Sequence, residues 1–128
     1  MSSVQPNTKQ VKGLLKMPKD QPVFMVNLLK FNEKTADGES GAEVYARYSK
    51  NMQPLLEKHG AEVVFAGSCE HLLIGIEADH WHSVVVVKYP SPRHFIKMSS
   101  SEEYAAVQHD REAALEKTTL LVNHQLSV

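Results

Sequence analysis

The chain is nearly without cysteine and carries no surplus of either charge, and each absence narrows what it can be. One cysteine, Cys69, among 128 residues cannot close an internal disulfide, so packing must hold the fold and a reducing compartment suits it. Cys69 lies in strand-like surroundings with no catalytic signature, and a small structural side chain is the plainer reading than a nucleophile. Fourteen basic residues stand against fifteen acidic ones with no block of like charge, which leaves no electrostatic footprint for nucleic acid or for an anionic membrane. No apolar run approaches the ~20 residues of a bilayer span, and the stretch Met1 to Pro6 lacks the charged start and apolar core of a secretory signal. A cytoplasmic protein is expected, with neither nucleic acid nor membrane as partner. Also missing are a phosphate loop, a dinucleotide fingerprint, a metal-ligand cluster, a nucleophile elbow, internal repeats and low-complexity tracts.

What is present is organised around one stretch. Pro22-Val23-Phe24-Met25-Val26-Asn27-Leu28-Leu29-Lys30-Phe31 is too short to span a membrane, rich in β-forming residues and apolar at both parities, the pattern of a strand buried on both faces. Asn27 interrupts it. A neutral amide inside such a strand must find hydrogen-bond partners, so it marks either a specific packing contact or a ligand pocket.

Around this strand the other elements fall in order. Asn7 and Gln10 have the spacing of a capping box, and Val11, Leu14 and Leu15 give a short apolar stripe ended by Pro18. Residues 32–39, with Asp37-Gly38, read as a loop. Ser40 and Glu43 open a long helix whose buried face is Val44, Tyr45, Tyr48, Met52, Leu55 and Leu56; Pro54 should kink or restart it and Gly60 should end it in a left-handed turn. Glu62–Gly67 and His71–Gly75 read as two extended pieces joined by a bulge or bend, and Ser83–Tyr89 as a central strand. Ser91-Pro92 starts a short helix carrying Phe95, Ile96 and Met98, and Glu102-Glu103 starts another that buries Tyr104, Val107, Ala114 and Leu115. Thr119–Leu126 reads as the last strand.

The resulting order is an accessory helix followed by βαββαβ, an α+β ferredoxin-like fold whose antiparallel sheet has helices on one face. Residues 1–128 read as one domain, of which 1–20 form an accessory helical extension. Because the strands Val23–Phe31 and Val84–Val87 are apolar at both parities, the uncovered face would expose a large apolar patch, and a homodimer through that open face is expected.

The run Pro22–Phe31, followed by Tyr45-Ala46-Arg47-Tyr48, Trp81, Lys88-Tyr89-Pro90-Ser91 and Glu103-Tyr104, resembles the domain-of-unknown-function family numbered 1330, of the dimeric α/β barrel superfamily. The resemblance runs from about the accessory helix to the last strand. It implies the ferredoxin-like fold and a dimer in which two sheets together form a barrel. It implies no reaction, since that superfamily includes cofactor-free monooxygenases, muconolactone isomerase, haem-binding chlorite dismutases and domains without known chemistry, and no catalytic motif of theirs matches here.

The candidate site is assembled from single residues. Asn27, Tyr48, Tyr89 and His124 are the expected ligand-binding residues, with Trp81 and Met98 as further walls whose plainer role is core packing. His124 alternates with Val122 and Leu126, so it should be half-buried on a strand and is a candidate base, with a hydrogen-bonded core histidine as its rival. His109 is the second catalytic candidate, against the simpler reading of a solvated face. His80 and His82 have a spacing compatible with a metal, but no third ligand accompanies them; neither a metal nor any other cofactor is expected. Two function classes follow. One is a protein that binds a small apolar or aromatic molecule between sheet and helices, extending to a cofactor-free monooxygenase or isomerase; the other is a non-catalytic dimeric module for a ligand or a protein.

Overall fold

The computed structural model describes residues 4–128; Met1, Ser2 and Ser3, the start of the extension read from the sequence, lie outside the described residues. Helix α1 (Thr8–Leu15) opens on the anticipated capping box: Asn7 Oδ1 accepts from the Gln10 N–H and Gln10 Oε1 from the Asn7 N–H, both at 2.8 Å. Its apolar stripe is narrower than expected. Leu14 and, beyond the helix, Met17 pack against the core, whereas Val11 and Leu15 are exposed.

Strand β1 (Val23–Phe31) leads through a loop to helix α2 (Gly41–Lys58), where Ser40 Oγ accepts from the Glu43 N–H at 3.1 Å. The expected face of α2, from Val44 to Leu56, is buried. Pro54 does not restart the helix, which runs unbroken past it. Lys50 and Pro54 are both exposed, so the Lys50 carbonyl that loses its partner is on the solvent side, where water can serve it. Gly60, at φ +71°, closes the helix as anticipated, and Ala61 N–H returns to Leu56 O at 2.8 Å. Strand β2 (Glu62–Ser68), strand β3 (Ser83–Tyr89), helices α3 (Pro92–Ser99) and α4 (Glu102–Ala114), and strand β4 (Leu115–Asn123) complete the chain.

The sheet order is β2-β3-β1-β4 with every neighbouring pair antiparallel, the ferredoxin-like topology. Register assigns the two faces. Val23, Met25 and Leu29 of β1, with Val87 and Tyr89 of β3, turn inward and are buried beneath α2, Met98 of α3 and Ala114 at the end of α4. The opposite parity carries Val26 and Leu28, their β3 partners Val86 and Val84, then Leu121 of β4 and Phe65 of β2. These six are at best half-buried; Phe65 is 58% and Leu121 49% exposed.

Several sequence expectations give way. His71–Gly75 is not a strand: pairing between β2 and β3 ends at Ser68 and Ser83, Gly75 sits at φ +142°, and Leu73, Ile74 and Ile76 project into solvent. Trp81 is half-buried rather than core, with Lys117 Nζ 4.9 Å from its ring centre. Tyr104 and Val107 are only partly buried, and Leu115 belongs to β4 instead of α4. The last strand is displaced towards the amino terminus, which removes His124 from it.

Candidate functional site

Positions 23, 25, 27, 29 and 31 of β1 share the helix-facing side, so Asn27 is the polar member of a row otherwise made of Val, Met, Leu and Phe. Its Nδ2 donates to Val85 O at 3.2 Å and to Met25 O at 3.3 Å, while its Oδ1 accepts nothing among the described residues. Level with it across the sheet lie Ala66, Val85 and Leu120. This row is less covered than its neighbours: Met25 and Leu29 on either side of Asn27 are fully buried, Asn27 and Val85 are half-buried, and Ala66 and Leu120 are exposed. The arrangement is an apolar strip with one hydrogen-bond acceptor at its centre.

Tyr48 and Tyr89 are not open walls of that strip. Tyr48 packs in an aromatic band, its ring 5.3 Å from Tyr45, which lies 5.4 Å from Phe31, and its hydroxyl is 3.2 Å from that of Tyr104. Tyr89 pairs with Val23 at the far end of β1 and meets Phe95 edge-on at 5.3 Å. Burial removes water from all three phenols: Tyr45 is pushed up to about 12, and Tyr48 and Tyr89 are raised further by the same desolvation. They remain neutral hydroxyls and cannot serve as bases near neutral pH.

The histidines do not converge on Asn27. His109 is largely exposed, its Nε2 3.4 Å from Asp110 Oδ1. His124 follows the end of β4, is exposed rather than half-buried, and has Nδ1 3.4 Å from Pro22 O. The β1–β4 pairing ends at Phe24 and Asn123, so position 124 lies past the last paired residue. His82 is occupied structurally, its Nδ1 accepting from the Phe31 N–H at 2.9 Å. Among the described residues no group of three His, Cys, Asp or Glu side chains could hold a metal ion, and no helix is long and apolar enough to cross a membrane.

One polar constellation escaped the sequence reading. Arg47 Nε and Nη2 each donate to the Asp110 carboxylate at 3.0 Å, and Nη1 donates to Glu39 at 2.9 Å. Asp110 is buried and these bonds hold its carboxyl below the usual carboxylate range. The partners are 63 residues apart, and only the unlike charges on two helices hinted at the pair.

Clefts on the described surface lie away from the strip. One of about 330 Å³ is lined by Lys58, His59, Gly60, Arg93, His94 and Lys97; another of about 210 Å³ lies between α1 and α3, against Leu14, Met17 and Ile96. Neither touches Asn27, Tyr48, Tyr89, His109 or His124.

The order of strands and the one-sided helix layer define an α+β protein of ferredoxin-like fold. Within that class the chain belongs to the family described as domain of unknown function DUF1330, whose model matches residues 40–125. The match starts at Ser40, so the run Pro22–Phe31 that carries the resemblance in sequence lies outside it. The fold over the full chain is similar to that of the RPA0582 protein of unknown function from Rhodopseudomonas palustris, with 29% identity, TM-score 0.93 and all of both chains covered. Fold similarity extends to the hydroxynitrile lyase from Passiflora edulis (12% identity, TM-score 0.61, 84% of this chain and 99% of that one). It also extends to a dimeric protein of unknown function and ferredoxin-like fold from Bacteroides fragilis (11% identity, TM-score 0.55, 84% and 100%). No curated protein matches the chain in sequence.

Proposed function

We propose that the protein is a non-catalytic homodimeric module that binds a small, largely apolar or aromatic molecule along the strip centred on Asn27. The observation that carries this reading is the amide itself: both fully buried neighbours, Met25 and Leu29, are apolar, and Asn27 presents an acceptor with no protein partner in the least covered row of the helix-facing side. A ligand hydroxyl or N–H donating to Oδ1 would satisfy it, and apolar contact with Val85 and Leu120 would supply the rest of the affinity. A catalytic reading of the monooxygenase or isomerase type lacks a base: His109 and His124 lie elsewhere and the tyrosines stay protonated. The fold tolerates many chemistries, so kinship with a lyase adds no reaction here.

The dimer rests on the open face of the sheet. Val26, Leu28, Val84, Val86, Leu121 and Phe65 form an apolar centre, and at its border the register sets Lys30 opposite Lys117 and Glu62 opposite Lys88. That layout of apolar centre and polar rim suits a second copy of the same face, with two sheets stacked about 10 Å apart in a dimeric α/β barrel. The Bacteroides fragilis protein of like fold is described as dimeric, which supports the same assembly here.

The test is a thermal-shift screen of small aromatic and alicyclic compounds on the sedimentation-defined species. A binder at ~100 times its dissociation constant adds about 2.7 kcal/mol of stability. Stabilisation by compounds bearing one hydrogen-bond donor, competed by apolar analogues, supports the reading. A monomer in sedimentation at micromolar concentration, or a screen in which no such compound shifts the melting, overturns it.

A further inference from the structure

We propose that the cleft where the end of α2 meets the start of α3 is a binding site for the phosphoryl group of a small phosphorylated molecule, separate from the sheet. Six residues wall it, Lys58, His59 and Gly60 from one segment and Arg93, His94 and Lys97 from the other, and none carries a negative charge. Lys58 is paired with Glu103. Arg93 and Lys97 are exposed and make no ion pair or hydrogen bond through their side chains among the described residues.

His59 distinguishes this cleft from an incidental basic patch. Its residue is 8% exposed, and Nε2 is sealed from solvent with no hydrogen-bond partner, although the side chain belongs to the cleft wall. A buried imidazole nitrogen without a partner is uncommon in a folded protein and calls for a group the described chain does not supply. A small turn of the ring would bring Nε2–H to an oxygen seated in the cleft. The geometry around it is fixed: Gly60 at φ +71° turns the chain immediately after His59, and Ser91 Oγ lies 2.7 Å from His94 Nδ1, holding that ring. The amino-terminal end of α3 adds its positive dipole to the side-chain cations, and the carboxyl end of α2 subtracts from it; the cations decide the sign.

The donor set selects the anion. A carboxylate offers two oxygens in one plane, whereas an ammonium, a guanidinium fork and an imidazole reaching in from two segments match the several oxygens and higher charge of a phosphoryl group. About 330 Å³ exceeds what a bare ion needs and falls at the small end of metabolite pockets, which leaves room for the ester it is attached to.

The experiment is a chemical-shift titration of the ¹⁵N-labelled full chain at constant ionic strength with inorganic phosphate, glycerol 3-phosphate and acetate, alongside co-sedimentation with phosphatidic acid vesicles. Saturable shifts at the His59 ring and the Gly60 and His94 amides with phosphate or its ester, and none with acetate, are expected. The double variant Arg93→Ala, Lys97→Ala should bind at least tenfold more weakly with an unchanged melting temperature. Preference for the soluble ester assigns the phosphoryl group to a metabolite, and preference for vesicles assigns it to a lipid headgroup. Equal shifts with acetate, or undiminished phosphate binding by the double variant, overturn the proposal. His59→Gln should abolish the ring signal and weaken binding; should that variant fail to fold, the exposed double variant still decides.

Discussion

Asn27 Nδ2 lies 3.2 Å from the carbonyl oxygen of Val85 across the β1 and β3 pair, and 3.3 Å from Met25 O along its own strand. The donors are therefore tied to the sheet and the oxygen accepts nothing among the described residues, which sets packing against binding in one variant. Asn27→Leu keeps the branched shape but removes the acceptor. Its stability should fall by about 1 kcal/mol, because the Val85 and Met25 carbonyls lose one neutral donor at a half-buried place. Ligand-induced stabilisation should fall to near zero in the same thermal-shift assay. A loss of several kcal/mol with binding intact would instead make Asn27 a packing residue.

Val26 sits at the centre of the open face, opposite Val86 on one side and Leu121 on the other. Val26→Lys would bury an unpaired ammonium between two copies but leave it hydrated on one. Sedimentation should report a folded monomer, because the core lies on the opposite face of the sheet. A dimer that survives Val26→Lys excludes this face as the contact.

How much of this was readable follows the range of the forces involved. The Asn7 box and the Gly60 turn are fixed by residues within a few positions and stand as read, and of the box expected at Ser40 and Glu43 the serine half forms. His71–Gly75 has strand composition yet forms none, since a strand needs a partner and β3 is exhausted at Ser83. The alternation of Val122, His124 and Leu126 implied a half-buried histidine only if the strand reached it, and pairing with β1 stops at Asn123. Arg47 and Asp110 meet through the packing of α2 on α4, which no local pattern encodes. Tyr48 and Tyr89 were recognisable as apolar-facing, but whether an aromatic lines a pocket or fills it depends on neighbours such as Tyr104 and Phe95, brought by tertiary structure.

Gly41 stands where α2 starts against the loop after β1 and the end of α4. A Cβ there would strike Asn32 O and come within 2.7 Å of Ala114 O, both main-chain atoms, while Gly41 N–H donates to Asn32 O at 3.0 Å. Backbone cannot step aside as a flexible side chain can. Gly41→Ala should cost about 3 kcal/mol, the upper end for overpacking. Gly60→Ala, strained by its φ of +71° but meeting only Pro90 Cγ at 3.2 Å, should cost about 1–2 kcal/mol. Urea midpoints would rank the two, and the reverse order would contradict the close approach at Gly41.

Asp110 titrates below its ordinary range because Arg47 donates two hydrogen bonds to the ionised carboxylate. A carboxyl with a depressed folded-state pKa binds protons more readily when unfolded, so its contribution is present above about pH 4 and fades as the pH falls through the folded-state value. Asp110→Asn should therefore be less stable than the parent at pH 7, and the difference should close as denaturation is repeated at progressively lower pH below 4. A gap that is independent of pH would assign the loss to packing instead of charge.

The buried phenols carry the opposite sign at the alkaline end. Tyr45, Tyr48 and Tyr89 have folded-state pKa values raised by desolvation, so the unfolded chain releases their protons first, near pH 10. The stability they contribute is whole below that pH and is lost as the pH rises towards their folded-state values, about 12 for Tyr45. Tyr48→Phe removes one such group together with its 3.2 Å contact to the Tyr104 hydroxyl. At pH 7 the variant should be less stable by roughly 0.5–1.5 kcal/mol, the worth of one neutral hydrogen bond. Above pH 10 that deficit should shrink and then reverse, because phenylalanine has no proton to lose on unfolding. Absorbance of tyrosinate recorded through the alkaline transition supplies the check: phenolate signal from the buried tyrosines should rise with unfolding, and its full appearance in a chain that is still folded would show that Tyr48 is reached by water.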